Sequence, residues 1–259
     1  MGQLDGKTAM IFGVANHNSI AWAIAQRLAA EGARLAFTYQ ERMEHNVRKL
    51  TADIEGALVI PCDVQSDSDL DAAFEQVGKE FGGLDILVHC VAFAPTDDLK
   101  GRVSRVSRAG FLTALDVSAY SLMAMAGRAE PLMEARGGGS VLALTYLGSE
   151  RVVPGYNLMG VAKAALESAI RYLAWDLGPH NIRVNGISAG PLRTLSARGV
   201  GNINDMFGLV DQVAPLRRNI DQQDVGDVAL YLCSPASKSL TGDILYVDNG
   251  FHVMGLGTM

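Results

Sequence analysis

The sequence predicts an α/β fold: one domain built on a doubly wound, parallel, seven-stranded sheet. Three observations carry this. Short β-rich runs alternate with longer helical ones along the chain. The first six β-rich runs are nearly continuous apolar stretches, the pattern of strands buried on both faces by flanking helices. Hydrophobic residues make up 49% and charged residues 19% of the 259, enough apolar side chains for a large core.

Strand one is KTAMIFG (7–13), followed by a helix over 19–31 with Ile20, Ile24 and Leu28 on one stripe. RLAFTY (34–39) is strand two and 41–53 a helix. ALVIPCD (57–63) is strand three, and Ser66 opens an amphipathic helix over 66–81. LDILVHCV (84–91) is strand four, followed by a long helix over about 107–134. GSVLALTY (139–146) is strand five, and 156–177 a second long apolar helix. IRVNGIS (182–188) and ILYVD (244–248) are strands six and seven. Right-handed crossovers between such strands give a Rossmann-like arrangement. Residues 192–220 break the alternation, and an insertion on the C-terminal side of a sheet is where a substrate lid sits. No linker, repeat or low-complexity segment divides 1–259.

A net charge of −6 without a basic block argues against nucleic-acid and membrane-surface partners. The N-terminus lacks the order of a signal peptide, and residue 6 is Gly where a myristoylation signal needs Ser or Thr. Polar residues break the apolar stretches before they reach bilayer length. Cys62, Cys90 and Cys233 are widely spaced, show no zinc or redox pairing, and read as buried thiols in a reducing cytoplasm. No metal is expected.

The segment after strand one, GVANHNSIAWAIA (13–25), is where a dinucleotide pyrophosphate would meet a helix N-terminus. The usual glycine fingerprint is reduced to Gly13, with Ser19 and Ala21 at later glycine positions, so Ser19 also reads as a plain N-cap. Strand two ends in TYQER (38–42), with Gln40 where an acidic residue often takes a ribose hydroxyl. Glu41 there would repel a 2′-phosphate, which favours NADH, while Arg42 partly offsets it. Asp63, at the end of strand three, is placed to accept from an adenine amino group beside a backbone contact at Val64; a helix-start acid is the competing reading.

The segment TYLGSERVVPGYNLMGVAK (145–163) carries the chemistry. Tyr-x3-Lys fails because Met159 lies four residues before Lys163. Tyr156 lies seven before it, about 10 Å along a helix with a drift of only about 20°, so both side chains share a face. A snorkelling Lys163 and a rim Tyr146 are the competing readings.

Gly13, Ser19-Ile20, the Tyr146/Tyr156/Lys163 spacing and SAGPLRT (188–194) together resemble the enoyl-[acyl-carrier-protein] reductases, a divergent branch of the short-chain dehydrogenase/reductases. The resemblance covers essentially the whole chain. It implies NADH-dependent reduction of the trans-2 double bond of an enoyl thioester in fatty acid elongation. Catalysis falls to Tyr146, Tyr156 and Lys163. Cofactor contacts fall to Gly13, Ser19, Ile20, Gln40, Asp63, Val64, Val91, Lys163, Leu192 and Thr194. Ala94, Tyr146, Tyr156, Met159, Val200, Ile203 and Met206 are implied to line the acyl slot. An acyl-carrier-protein partner, a cytoplasmic location and a homotetramer follow as expectations.

Where the family has basic residues in the lid, this chain has Gly201, Asn204 and Asp205, with Arg198, Arg217 and Arg218 nearby. It also has Gly186 where Ala is usual and Asn249 where Gly is usual. A carbonyl reductase of the same superfamily and a catalytically silent NAD-binding sensor or scaffold stay open as alternatives.

Overall fold

The computed structural model describes residues 2–194 and 203–255, with side chains given throughout except at 203–205. Its seven strands are β1 (Thr8–Phe12), β2 (Arg34–Tyr39), β3 (Leu58–Pro61), β4 (Ile86–His89), β5 (Gly139–Thr145), β6 (Ile182–Ala189) and β7 (Ile244–Val247). They form one sheet in the order β3-β2-β1-β4-β5-β6-β7, every pairing parallel. At the centre Ile11 pairs with Phe37 on one side and Val88 on the other. The strand order reverses between β1 and β4, and ligands of such sheets bind in the crevice at that switch, beyond the strands' C-terminal ends.

The helices cover both faces. On one lie α1 (Ile20–Ala30), α2 (Glu44–Thr51) and α9 (Gln222–Cys233), with Ile24, Leu28, Val47 and Val225 buried against β1 and β2. On the other lie α3 (Asp67–Phe81), α6 (Ser121–Glu134) and α7 (Asn157–Leu177), with Phe74, Met125 and Ile170 buried. The Ser66 hydroxyl caps α3 by accepting from Asp69 N–H, as its position predicted. At the opposite edge from the crevice, buried Asp85 ties the sheet together, accepting from Lys7 Nζ at 2.8 Å, Thr8 N–H at 3.0 Å and Arg136 Nε at 3.2 Å.

Three features depart from the sequence expectations. The helix over 107–134 is composite: α5 (Arg108–Leu115), a π turn over Asp116–Tyr120, then α6. By length and composition this run could cross a bilayer, contrary to expectation. Half of its apolar window is buried in the core, however, which is the signature of a packing helix. The helix α9 was not anticipated because Gly226 interrupts its apolar pattern. That glycine serves close packing, since a Cβ there would lie 3.2 Å from Ala23 O on α1. The ion pair Arg27–Asp227 at 2.6 Å flanks the contact, and Asp221 and Asp224 form a capping box. Finally, α4 (Thr96–Lys100) follows β4, and α8 (Ile203–Val213) falls inside the expected lid.

The two departures outside the lid fit their sites. Asn249 has φ of 57°, a left-handed conformation that Gly favours and Asn tolerates. Gly186 lies under Ile244 and Ile170, whose Cδ1 atoms would be 2.5 and 2.9 Å from an added Cβ.

Candidate active site

The β1–α1 turn needs its glycine. Gly13 has φ of 101°, and a Cβ there would lie 2.2 Å from Cys90 O at the end of β4. The two central strands therefore deliver their loops to one point. Ser19 stands at the N-cap of α1 but makes no side-chain bond to that helix. Its Oγ instead accepts from the N–H groups of Ala15 at 3.1 Å and Asn16 at 3.0 Å, which folds the loop. Both acceptor positions are thereby used and the O–H proton remains available to an anion. Ile20 is the first helical residue, where N–H groups lack acceptors within the helix and the dipole is positive. This turn fits a pyrophosphate.

Along the rim, Gln40 precedes the 3₁₀ turn Glu41–Met43, and its Oε1 accepts from Arg42 Nη2 at 2.9 Å. Asp63 Oδ1 accepts from Gln65 N–H at 3.0 Å, so it closes a turn rather than capping α3. Val64 is buried, and Val91 packs against the same core. Leu192 is buried beside β6, and Thr194 N–H reaches back to Leu192 O at 2.9 Å.

The catalytic candidates meet at the C-terminal end of β5. Tyr146 directly follows that strand, and Tyr156 occupies the N-cap of α7 rather than its first turn as expected. Gly160 N–H still bonds Tyr156 O at 3.2 Å, so the helical turn begins there. The two phenol rings pack edge to face with centroids 4.8 Å apart. Neither hydroxyl has a hydrogen-bond partner among the described residues. Burial raises Tyr146 to about 12, with Asp248 adding, and pushes Tyr156 far above its ordinary value. Both stay protonated donors at neutral pH. Lys163 is 5% exposed and not a snorkelling side chain. Its Nζ donates to Leu144 O at 2.6 Å, leaving other ammonium donors for a ligand. Burial lowers it to about 8, while Cys90 and Glu167 pull it back up.

Beside the tyrosines lies a separate apolar cluster of Ala94, Ala114, Leu158, Met159 and Ala162, with Tyr156 and Leu99 packed against it. Ala94, Met159 and Tyr156, expected in the acyl slot, are thus brought together. Met206 is half-buried on α8. Ile203 starts α8, but its side chain and all of Val200 lie outside the described residues.

Sequence reasoning missed the support beneath these residues. Glu167, only 3% exposed, accepts from Thr145 Oγ1 at 2.6 Å and Ser149 Oγ at 2.5 Å, bracketing Tyr146 from both sides. A charge sitting one turn beyond Lys163 was the available signal. Gly148 and Gly160 allow close approach: a Cβ on Gly148 would lie 2.4 Å from the Tyr156 ring, and one on Gly160 2.6 Å from Gly148 O. On the π turn, Ser118 Oγ accepts from Phe93 N–H at 3.0 Å and donates to Phe93 O at 3.2 Å, pinning the loop that carries Ala94. Among the described residues, one group could hold a metal ion: Glu130, Glu134 and His180, at the far end of the sheet from these tyrosines.

A parallel sheet of this order, with a glycine turn after β1 that fits a pyrophosphate and a tyrosine–lysine pair after β5, is the arrangement of a short-chain dehydrogenase/reductase. The family model described as Enoyl-(Acyl carrier protein) reductase matches residues 13–252. An enoyl-[acyl-carrier-protein] reductase [NADH] of Nostoc sp. is 50% identical over 260 residues, covering 99% of this chain and 100% of that protein. The solved Bacillus cereus enoyl-acyl carrier protein reductase, with NADP+ and an indole naphthyridinone, superposes with a TM-score of 0.96. It is 52% identical, with 99% of this chain and 100% of that one covered. The corresponding reductase of Anaplasma phagocytophilum, solved with NAD, gives 0.95 at 44% identity, covering 100% and 98%. The chain belongs to the enoyl-[acyl-carrier-protein] reductase family.

Proposed function

We propose that this protein reduces the trans-2 double bond of enoyl thioesters carried on acyl carrier protein, using NADH, as a step of fatty acid elongation. The observation that carries the reading is the Tyr156 ring, packed against the apolar cluster and edge to face with Tyr146, at the start of the helix that carries buried Lys163, its hydroxyl without a partner among the described residues. When bound, NADH would supply hydride to the substrate's β-carbon; the electron pair of the double bond would move toward the thioester oxygen as an enolate, whose α-carbon would then take up a proton. Tyr156 O–H donates to that oxygen in a site that excludes water, where one such donor is worth about 3 kcal/mol. Lys163 binds the ribose hydroxyls and keeps a positive charge close to the enolate. Tyr146 fixes the Tyr156 ring and faces the substrate. Gly13, Ser19 and Ile20 take the pyrophosphate, with Thr194 reaching a phosphate, Gln40, Asp63 and Val64 take the adenosine end, and Val91 and Leu192 the nicotinamide side. Residues 192–220 are assigned to the lid, with Met206 among the described residues that would line the acyl chain.

The fold is one domain, and the chain works as a cytoplasmic homotetramer without a membrane or nucleic-acid partner. Exposed Leu112, Met123, Val161, Tyr172 and Trp175 on α5, α6 and α7 support assembly, since apolar helix faces of this kind are covered by like subunits.

The test is oxidation of NADH and NADPH, in parallel, by the purified protein with a trans-2-enoyl thioester, with a 3-oxoacyl thioester as control. Fast turnover of the enoyl substrate with NADH is expected. Tight NADH binding without enoyl turnover would favour the silent sensor, and turnover of the 3-oxoacyl substrate a carbonyl reductase.

A further inference from the structure

The segment from α4 into the start of α5 carries Lys100, Arg102, Arg105 and Arg108 within nine residues of a chain whose net charge is −6. All four are exposed, and none makes an ion pair among the described residues. Asp97 and Asp98 are the acids of the same segment, and Asp98 is engaged by Ser107, whose N–H it accepts at 2.8 Å and whose hydroxyl at 2.9 Å. Arg108 sits in the first turn of α5, which has no acid there, so its charge opposes the helix dipole. A stability argument therefore does not account for these cations.

Their location is specific. Leu99 and Val106 pack into the apolar cluster with Ala94, Met159 and Tyr156. Asn157, next to Tyr156, donates from Nδ2 to Leu99 O at 2.8 Å and to Gly101 O at 2.5 Å. The basic segment is thus fastened to the edge of the apolar cluster beside Tyr156. The described cations near the lid are occupied differently. Arg193 stacks on Phe207, Arg217 donates to Gln212 O, and Arg218 pairs with Asp224 at 3.6 Å.

We propose that Lys100, Arg102, Arg105 and Arg108 form the docking surface for the acidic carrier protein that presents the acyl thioester. The proposal rests on the reductase reading above. Carboxylates on the carrier meet unpaired cations on the α4–α5 side of the cluster, and the tethered acyl chain enters beside Leu99 and Met159. Such complementarity acts chiefly on encounter rate and orientation, and weakens with salt.

The experiment compares wild type with Arg102→Glu/Arg105→Glu on one trans-2-enoyl chain in three forms: on acyl carrier protein, on coenzyme A and on N-acetylcysteamine. A loss of tenfold or more in kcat/KM is expected with the carrier substrate alone, together with a flatter salt dependence. N-acetylcysteamine turnover and Tm stay at wild-type values, and Arg102→Lys/Arg105→Lys retains carrier turnover. Wild-type rates on the carrier substrate would overturn the proposal. So would an equal loss on all three forms, or a loss on coenzyme A alone, which would mean that the cations read its phosphates. An effect only in Arg217→Glu/Arg218→Glu would move docking to the lid. A wild-type enzyme inactive on every form would fail the reductase reading itself.

Discussion

Tyr146 meets Tyr156 edge to face, with ring centroids 4.8 Å apart and planes inclined by 70°. That geometry sets the positive edge of one ring on the negative face of the other and fixes both without using either hydroxyl. The two phenols then separate by substitution. Tyr156→Phe keeps NADH affinity, read by cofactor fluorescence, and lowers kcat about 100-fold, the value of one lost oxyanion donor. Tyr146→Phe keeps the ring contact and costs less than Tyr156→Phe. Unchanged turnover in Tyr156→Phe would remove it as the principal donor.

The spacing of these rings depends on a missing methyl group. An added Cβ at Gly148 would lie 2.4 Å from Tyr156 Cδ1 and 3.3 Å from Tyr146 Cδ1. Gly148→Ala is expected to displace the Tyr156 ring and lower kcat at least tenfold, with NADH affinity within a factor of two, because the pyrophosphate turn is remote from it. A stopped-flow turnover series alongside cofactor titration reads both; matched losses would mean general damage.

Lys163 predicts opposite pH trends for activity and stability. His89 at the end of β4, Cys90 just after it and Glu167 on α7 are the titratable groups around it. With its pKa near 8, the charged form that binds cofactor is lost as pH rises through about 8. KM for NADH therefore climbs above that pH in wild type and stays flat in Lys163→Arg, whose guanidinium remains charged. Stability runs the other way. The folded value is depressed below the ordinary lysine value of 10.5, so between about 8 and 10.5 the unfolded chain binds more protons, and this lysine's penalty eases as pH rises. Lys163→Met should accordingly raise Tm more at pH 7 than at pH 10. Equal gains at both would contradict the depressed value.

Strand burial was legible because β1 and β2 are apolar on both faces, a pattern that parallel sheets impose. Tyr156 and Lys163 were legible because their spacing matches two helical turns, even though Tyr156 caps the helix instead of lying within it. Other features lack a one-dimensional trace. The acceptor role of Glu167 joins it to Thr145 and Ser149, 22 and 18 residues away. Ser118 and Phe93 are 25 residues apart. Gly226 reads as a helix breaker until α1 lies against it. Strands three and four ended earlier than expected because apolar residues continue into buried loops, where Cys62 and Cys90 sit outside the pairing.

The π turn between α5 and α6 leaves the two halves of that rod out of phase. A turn that takes in an extra residue advances the side chains beyond it by about 100° relative to an uninterrupted α-helix. The half that faces the acyl pocket and the half that faces β4 and β5 therefore follow separate angular registers, joined by a five-residue gear. Deleting one residue from that gear would leave a longer regular helix while rotating the core stripe of Leu122, Met125 and Met133 away from the sheet. Chain length within these five positions is thus set by the half that packs on the sheet, whatever side chains the other half carries.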